Sequence, residues 1–325
     1  MALSYSLRLV CLIVVSAGLL QLTLELLLWI GSPLFLRLLA SLPIRQRERA
    51  LYLVRLAPFV LALLITVSFC VPWYLSNETN FAAERVGSLC LVLAAGIFVW
   101  YGVSAFGGLR IALRTALFTR ACKRDGQGIV TSPDETPILA FSGPAHRVAL
   151  VGLVHPFIFI SKSLIEDGGL DPLALEVVLD HERSHATQRD NWKLLSLHCV
   201  PRLNLRLPAG STWMQLWQNV AEWAADEDSV RGNSTRAFQL AETLVFFSVH
   251  AAARATRIAS TALVCREADL VTRVERLINR DAGSSAQDNR YAAVAFWTLL
   301  LATVLFLVTL TPLLHELPEH LLHLG

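Results

Sequence analysis

The chain has 325 residues, of which 54% are hydrophobic and 17% charged, with a mean hydropathy of +0.51. A soluble domain averages about 45–50% apolar and about 25% charged residues. The balance excludes a disordered chain, a collagen-like chain and a simple soluble enzyme, and makes lipid the solvent for part of the sequence. Basic and acidic residues nearly cancel, 28 against 26, for a net charge of +2, so no direct contact with nucleic acid is expected. Six cysteines, at positions 11, 70, 90, 122, 199 and 265, show no paired spacing. Neither a disulfide framework nor a thiolate metal site follows from them.

Four segments approach the roughly 20 apolar residues that cross a bilayer. They run from about Leu9 to Ile30, Leu56 to Leu75, Val86 to Phe106 and Tyr291 to Leu314. The first is too long and too poor in basic residues for a cleaved signal, and reads as a retained anchor. Basic residues in the short loops set the orientation. Arg37, Arg45, Arg47, Arg49 and Arg55 separate the first two segments, and Arg110, Arg114, Arg120, Lys123 and Arg124 follow the third. The turn between the second and third has one Arg, and the tail after the fourth has neither Lys nor Arg. The expected protein is a multi-pass inner-membrane protein with both termini outside and residues 109–290 in the cytoplasm.

Expected domains are a membrane region over 1–108, a cytoplasmic domain over 109–290 and a last span with a short tail over 291–325. Within LRIALRTALFTRACKR (109–124) the arginines alternate with leucines. Two readings stay open: an amphipathic helix on the inner leaflet, or a continuation of the third span. PILAF (137–141) and HPFIFIS (155–161) read as short strands, the second a candidate edge for pairing with an extended substrate. Helical patterns dominate from Asp171 onward, and NRDAGSSAQDNR (279–290) reads as a linker. Glu25, inside the first span, is costly there unless it pairs with Arg55 or reaches the interface.

The stretch DPLALEVVLDHERSHATQRDNW (171–192) carries the chemistry. Asp171 suits a helix N-cap and Pro172 the first helical position. Inside this helix, His181-Glu182-Arg183-Ser184-His185 is an H-E-x-x-H motif. Residues four apart project from one face, so His181 and His185 can bind one zinc ion, and Glu182 can reach a water on that zinc as general base. A catalytic zinc needs a third protein ligand. A second helix is expected over STWMQLWQNVAEWAADEDSV (211–230), with Trp213, Trp217, Val220 and Ala224 on its apolar side. Glu222, alone among apolar neighbours, is the expected third ligand. Asp226, one turn on, is the expected carboxylate behind a ligand histidine. Glu227 and Asp228 read as solvated, His155, His198 and His250 as structural. Arg273 or Arg276 is expected to stabilise an oxyanion.

The His181–His185 motif followed by Ala-Thr-Gln-Arg-Asp, then Glu222-x-x-Ala-Asp226, resembles the gluzincin membrane metallopeptidases. Three spans, a cytoplasmic segment bearing both motifs and a final span resemble the BlaR/MecR type, and HPFIFISKSL resembles that family's strand before the zinc helix. The sequence ends about eleven residues after the fourth segment, so the penicillin-binding sensor domain of that type is expected to be lacking. The resemblance implies a mainly α, polytopic membrane protein with four transmembrane helices and a cytoplasmic α+β zincin-like domain. It implies a zinc endopeptidase acting on a cytosolic protein, such as a transcriptional repressor or the chain itself, in a signalling pathway. Expected partners are that protein substrate and membrane lipid; the sequence sets no oligomeric state. The alternatives are an HtpX/Ste24-like quality-control peptidase, favoured if residues 193–207 or 240–264 enter the bilayer, and a catalytically silent sensor or scaffold.

Overall fold

The computed structural model describes residues 5–77, 88–129, 136–142, 147–165, 169–207, 210–251 and 267–279. In chain order the helical part consists of α1 (Tyr5–Ile30), α2 (Ser32–Ala40), α3 (Ile44–Ile65), a π-helical turn (Thr66–Cys70), α4 (Val71–Asn77) and α5 (Ser88–Asp125). Four strands follow, β1 (Gln127–Ile129), β2 (Ile138–Phe141), β3 (Val148–Val151) and β4 (Phe157–Ser161). The described residues after β4 hold the helices α6 (Pro172–Gln188), α7 (Asp190–Cys199), α8 (Trp213–Val230), α9 (Ser234–Ala251) and α10 (Glu267–Ile278). The protein is thus mainly α with a small mixed sheet.

Three helical stretches, Leu7–Ile30, Ile44–Cys70 and Ser88–Asp125, are long and apolar enough to cross a membrane. Their outward faces carry Leu26, Leu27, Ile30, Leu63, Leu64, Val67, Val92, Phe98, Val103 and Phe106, all exposed. Contiguous apolar surface on this scale is foreign to a water-soluble monomer and natural against lipid. The second stretch begins at Ile44, twelve residues before the expected Leu56, because the arginine-rich first turns of IRQRERALYLVR continue as one helix into the apolar part, through Pro58. The π turn lies just ahead of Pro72, which has no N–H and crowds the carbonyl four residues back. The Val71 amide accordingly reaches to Thr66 O, five residues away. α5 is a single helix of 38 residues, about 57 Å long, so 109–124 is a continuation of the third span. The expected fourth span, 291–314, lies outside the described residues.

The chain forms two compact units. One comprises the residues up to Gly107 together with Leu197–Met214, so that the connection between α7 and α8 belongs with the long apolar helices rather than with the expected 109–290 domain. In this unit α1 packs on α3 through Leu20, Leu24, Ala62 and Ile65, and on α5 through Cys11, Val15, Cys90 and Ala94. Gly18 permits the closest approach to α5: a Cβ there would stand 2.5 Å from Ile97. Glu25 and Arg55 are both buried and pair at 3.4 Å, which resolves the cost of a carboxylate within the first span.

The second unit covers Gly108–Ser196 and Gln215–Gln287. Its sheet has the order β1-β2-β4-β3, with β2 and β4 parallel and the other pairs antiparallel. β4, which holds most of HPFIFIS, is interior; the expectation of an edge strand there is corrected, and the edges are β1 and β3. The sheet is covered on both faces. Ile138, Ala140, Val148, Leu150, Ile158 and Ile160 pack with Val178 of α6 and Phe247 of α9, while Ala149, Val151 and Phe157 pack on Cys122 of α5. This explains why all four residues of β3 are buried. A further core joins Val177 of α6 to Val230, Ala237, Leu240, Leu244 and Leu277. α9 contributes Ala237, Leu240, Ala241 and Leu244 to this core while Phe238, Val245 and Val249 stay exposed, and α7 is ten residues long, too short to cross a bilayer.

Candidate metal centre

The site is built on α6. Asp171 caps it by accepting from the Leu173 amide at 3.0 Å, and Pro172 takes the first helical position. Val177 and Val178 anchor its inner side in two separate cores, so the next turns are held firmly inside the unit. There His181, Glu182 and His185 are 1%, 1% and 3% exposed. The i, i+4 spacing brings the two imidazoles together, with Nε2 facing Nε2 at 3.2 Å.

α8 supplies the third group. Trp217, Val220, Ala221, Ala224 and Ala225 are buried, which turns Glu222 toward the histidines. Its Oε2 lies 3.5 Å from His181 Nε2 and its Oε1 3.6 Å from His185 Nε2. The three donor groups lie within 4.8 Å of one another. Two ligands bonded at about 2.0–2.1 Å to a tetrahedral zinc stand about 3.3 Å apart, so these spacings suit a zinc-sized ion. Asp226 and Asp190 stand behind the imidazoles. Asp226 Oδ1 is 3.1 Å from His181 Nδ1, and Asp190 Oδ2 is 2.8 Å from His185 Nδ1. Asp190 hydrogen-bonds His185 Nδ1, which keeps the proton there and turns its Nε2 lone pair inward; Asp226 stands beside His181 Nδ1 as an ion-pair contact without hydrogen-bond geometry.

No protein-family model matches the chain, and none of the curated proteins compared with it matches. The site therefore has to be read from its own chemistry.

That chemistry favours positive charge at the centre. Burial disfavours the imidazolium of His181, but close contacts with Asp226 and Glu222 and their charges outweigh it and carry the group up to about 9. His185 is also raised: Glu222, Asp190 and their contacts overcome burial and the repulsion from His181. Glu222 is held far below the usual carboxylate range, since Arg273, His185 and His181 outweigh its burial. Asp226 and Asp190 are lowered in the same sense, against burial, by Arg273 with His181 and by His185 with Lys193. Glu182 differs: burial raises it, and the nearby imidazoles only partly offset this. Its Oε2 accepts from the Leu150 amide of β3 at 2.8 Å, and its Oε1 is buried with no hydrogen-bond partner.

Arg273 of α10 locks the acidic side of the centre. Nε and Nη2 donate to the two oxygens of Asp226, and Nη1 lies 2.9 Å from Glu222 Oε2. All three nitrogens are engaged with these carboxylates, so Arg273 orients the centre's acids instead of the oxyanion role expected for it. Arg276 stacks over Trp223 at 4.5 Å and sits 3.9 Å from Glu227 on the outer side. Glu227 and Asp228 are exposed, Asp228 accepting from Ser184 Oγ at 2.8 Å. His155 is exposed in the turn between β3 and β4, and His198 is half-buried in α7; neither is among the converging donors. The side chain of His250 lies outside the described residues.

Two contributors escape the sequence patterns. Asp190 reaches His185 because Arg189 ends α6 in the left-handed region (φ 55°) and folds α7 back. A carboxylate five residues after His185, just past the end of the helix, is the available signal. The Leu150 amide had none, because backbone groups carry no sequence signature.

Proposed function

We propose that the protein is an integral-membrane zinc endopeptidase of the gluzincin kind, with its active site facing the cytoplasm. The observation that carries the reading is the convergence of His181 Nε2, His185 Nε2 and the Glu222 carboxylate at 3.2–3.6 Å, with the unpartnered Glu182 Oε1 next to them in the same helix. The donor set fits zinc: two neutral imidazoles and one carboxylate, each braced from behind. Bound there, zinc supplies Lewis acidity toward a peptide carbonyl.

The chain's own residues account for the rest. Asp190 keeps His185 in the Nδ1–H tautomer, and the Asp226 carboxylate beside His181 Nδ1 favours the same tautomer there. Glu182 is steered by the Leu150 amide at Oε2 and keeps Oε1 for a proton, the placement of a general acid–base group. It takes a proton from the attacking water and returns it to the leaving nitrogen as the C–N bond breaks. The products are a carboxyl and an amino terminus.

Four spans, with both termini outside, complete the reading. The arginines of residues 37–55 and 110–124 mark the inner side. The substrate is a cytosolic protein, either a transcriptional repressor or the chain itself. Between the two motifs, α7 is ten residues long, too short to cross a bilayer, which supports this layout.

The test is profiling of new protein N-termini in cells expressing wild type or Glu182→Gln at equal levels. Termini that arise with wild type and vanish with the variant support the peptidase. Identical profiles overturn it.

A further inference from the structure

β3 is an edge strand, and at Leu150 side chains from two helices take the place of a neighbouring strand. The Ser161 amide donates to Arg147 O at 2.9 Å. In the antiparallel register with β4, residues 147, 149 and 151 therefore turn their backbone groups toward β4, and Leu150 turns its own to the open side. There the Leu150 amide donates to Glu182 Oε2 of α6 at 2.8 Å. Asn191 of α7 takes the carbonyls: its Nδ2 donates to Gly152 O at 3.0 Å and reaches Leu150 O at 3.5 Å.

Asn191 is placed to set this strand against the histidines. Asp190, the residue before it, bonds His185 Nδ1 at 2.8 Å. Consecutive residues at the start of α7 thus grip the histidine helix and the strand. The strand needs the grip. It is four residues long and runs into a turn at Gly152, where φ is 103° and a Cβ would stand 3.1 Å from His155 O. A short edge beside a turn opens locally at low cost unless its backbone is bonded. Leu150 is 2% exposed, so its outward groups need protein partners. Two residues separate it from Gly152, and a shift of the Gly152 carbonyl carries the Leu150 amide with it. Glu182 Oε1 has no hydrogen-bond partner, so the Leu150 bond is what orients that carboxylate.

We propose that Asn191 is a positioning residue for peptide hydrolysis: by holding Gly152 O and Leu150 O it fixes the Leu150 amide, which aims Glu182 at the attacking water. The metal donors sit on α6 and α8, whereas the Asn191 carboxamide bonds β3, so its loss acts on turnover and spares metal binding. The kinetic consequence rests on the peptidase reading. Control of the Leu150 amide does not.

The experiment uses the full-length, zinc-loaded protein in detergent. Residue-resolved hydrogen exchange reads the Leu150 amide, and cleavage of fluorescein-labelled β-casein gives kcat and KM. Zinc content and unfolding temperature are measured on the same samples. Glu182→Ala, which removes the acceptor, sets the exchange rate of a released Leu150 amide. Asn191→Ala should keep one zinc per chain and speed exchange at Leu150 by roughly fivefold or more, the equilibrium value of one neutral hydrogen bond. Its kcat should fall about 10- to 100-fold, the scale of a misplaced catalytic group, with KM little changed. Asn191→Gln keeps a carboxamide donor and should recover part of kcat. Unchanged exchange at Leu150, or unchanged kcat, overturns the proposal. So does a loss of zinc or of unfolding temperature that accounts for the fall in kcat, which makes Asn191 a structural contact. Wild type that leaves casein intact counts against the peptidase reading, and exchange at Leu150 then decides whether Asn191 controls that amide.

Discussion

His181 and His185 face each other Nε2 to Nε2 at 3.2 Å while a carboxylate occupies the far side of each ring. Two neutral imidazoles arranged this way direct lone pairs at the same point, which is repulsive unless a cation lies between them. One equivalent of Zn²⁺ or Co²⁺ per chain is the expected stoichiometry. His181→Ala, His185→Ala and Glu222→Ala should each abolish binding near the micromolar range. Metal analysis after dialysis checks the count, and the visible spectrum of Co²⁺ reports a low-coordinate site.

Without metal, protons compete for the same lone pairs. His181 has a folded pKa of about 9 against about 6.5 when unfolded. A raised pKa contributes stability that is fully present below the unfolded value and is lost as pH rises through the folded value. The metal-free protein should therefore become less stable between about pH 6.5 and about pH 9. Metal affinity should change in the opposite sense, strengthening with pH over that window as the imidazole gives up its proton. Thermal unfolding with chelator, beside zinc titrations at matched pH, gives both slopes.

Glu182 separates binding from turnover. Its Oε2 is held by the Leu150 amide and its Oε1 has no partner, so a glutamine can keep the first contact through its own carbonyl oxygen. Glu182→Gln should retain full metal stoichiometry and fold normally, yet lose proteolysis by about 10²- to 10⁴-fold, the usual contribution of a positioned general base. Metal content measured beside the cleavage rate tests the pair of outcomes. Loss of metal from this variant would make Glu182 a structural group.

How much of this was legible beforehand follows the range of the interactions. The helix of residues 172–188, its Asp171 cap and the closeness of His181 and His185 are local, set by 3.6-residue periodicity, and they stand where the pattern puts them. Glu222 and Asp226 could be singled out because a carboxylate among buried apolar neighbours calls for a partner. Asp190 depends on a left-handed residue at Arg189, which no side-chain preference announces. β1 and β3 are three and four residues long, too short for alternation to register, so the edge was assigned to the more apolar HPFIFIS. The placing of residues 197–214 with the apolar helices turns on hydrogen bonds to its backbone from side chains about 180 positions away, and composition cannot report these.

Arg273 is the group whose loss should separate stability from metal affinity. It is 1% exposed and engages Asp226 through two nitrogens and Glu222 through the third. Replacing it with methionine keeps much of the volume but leaves two carboxylates near the centre without their counter-charge. Breaking a buried pair from one side typically costs about 3–5 kcal/mol, and Arg273→Met should lose stability on that scale in chemical unfolding. Adding Asp226→Asn removes one stranded charge and should recover part of the loss. It also removes the carboxylate behind His181, so zinc affinity in the double variant should stay about 10- to 100-fold below wild type. If stability and affinity instead recover together, Arg273 acts only through the fold.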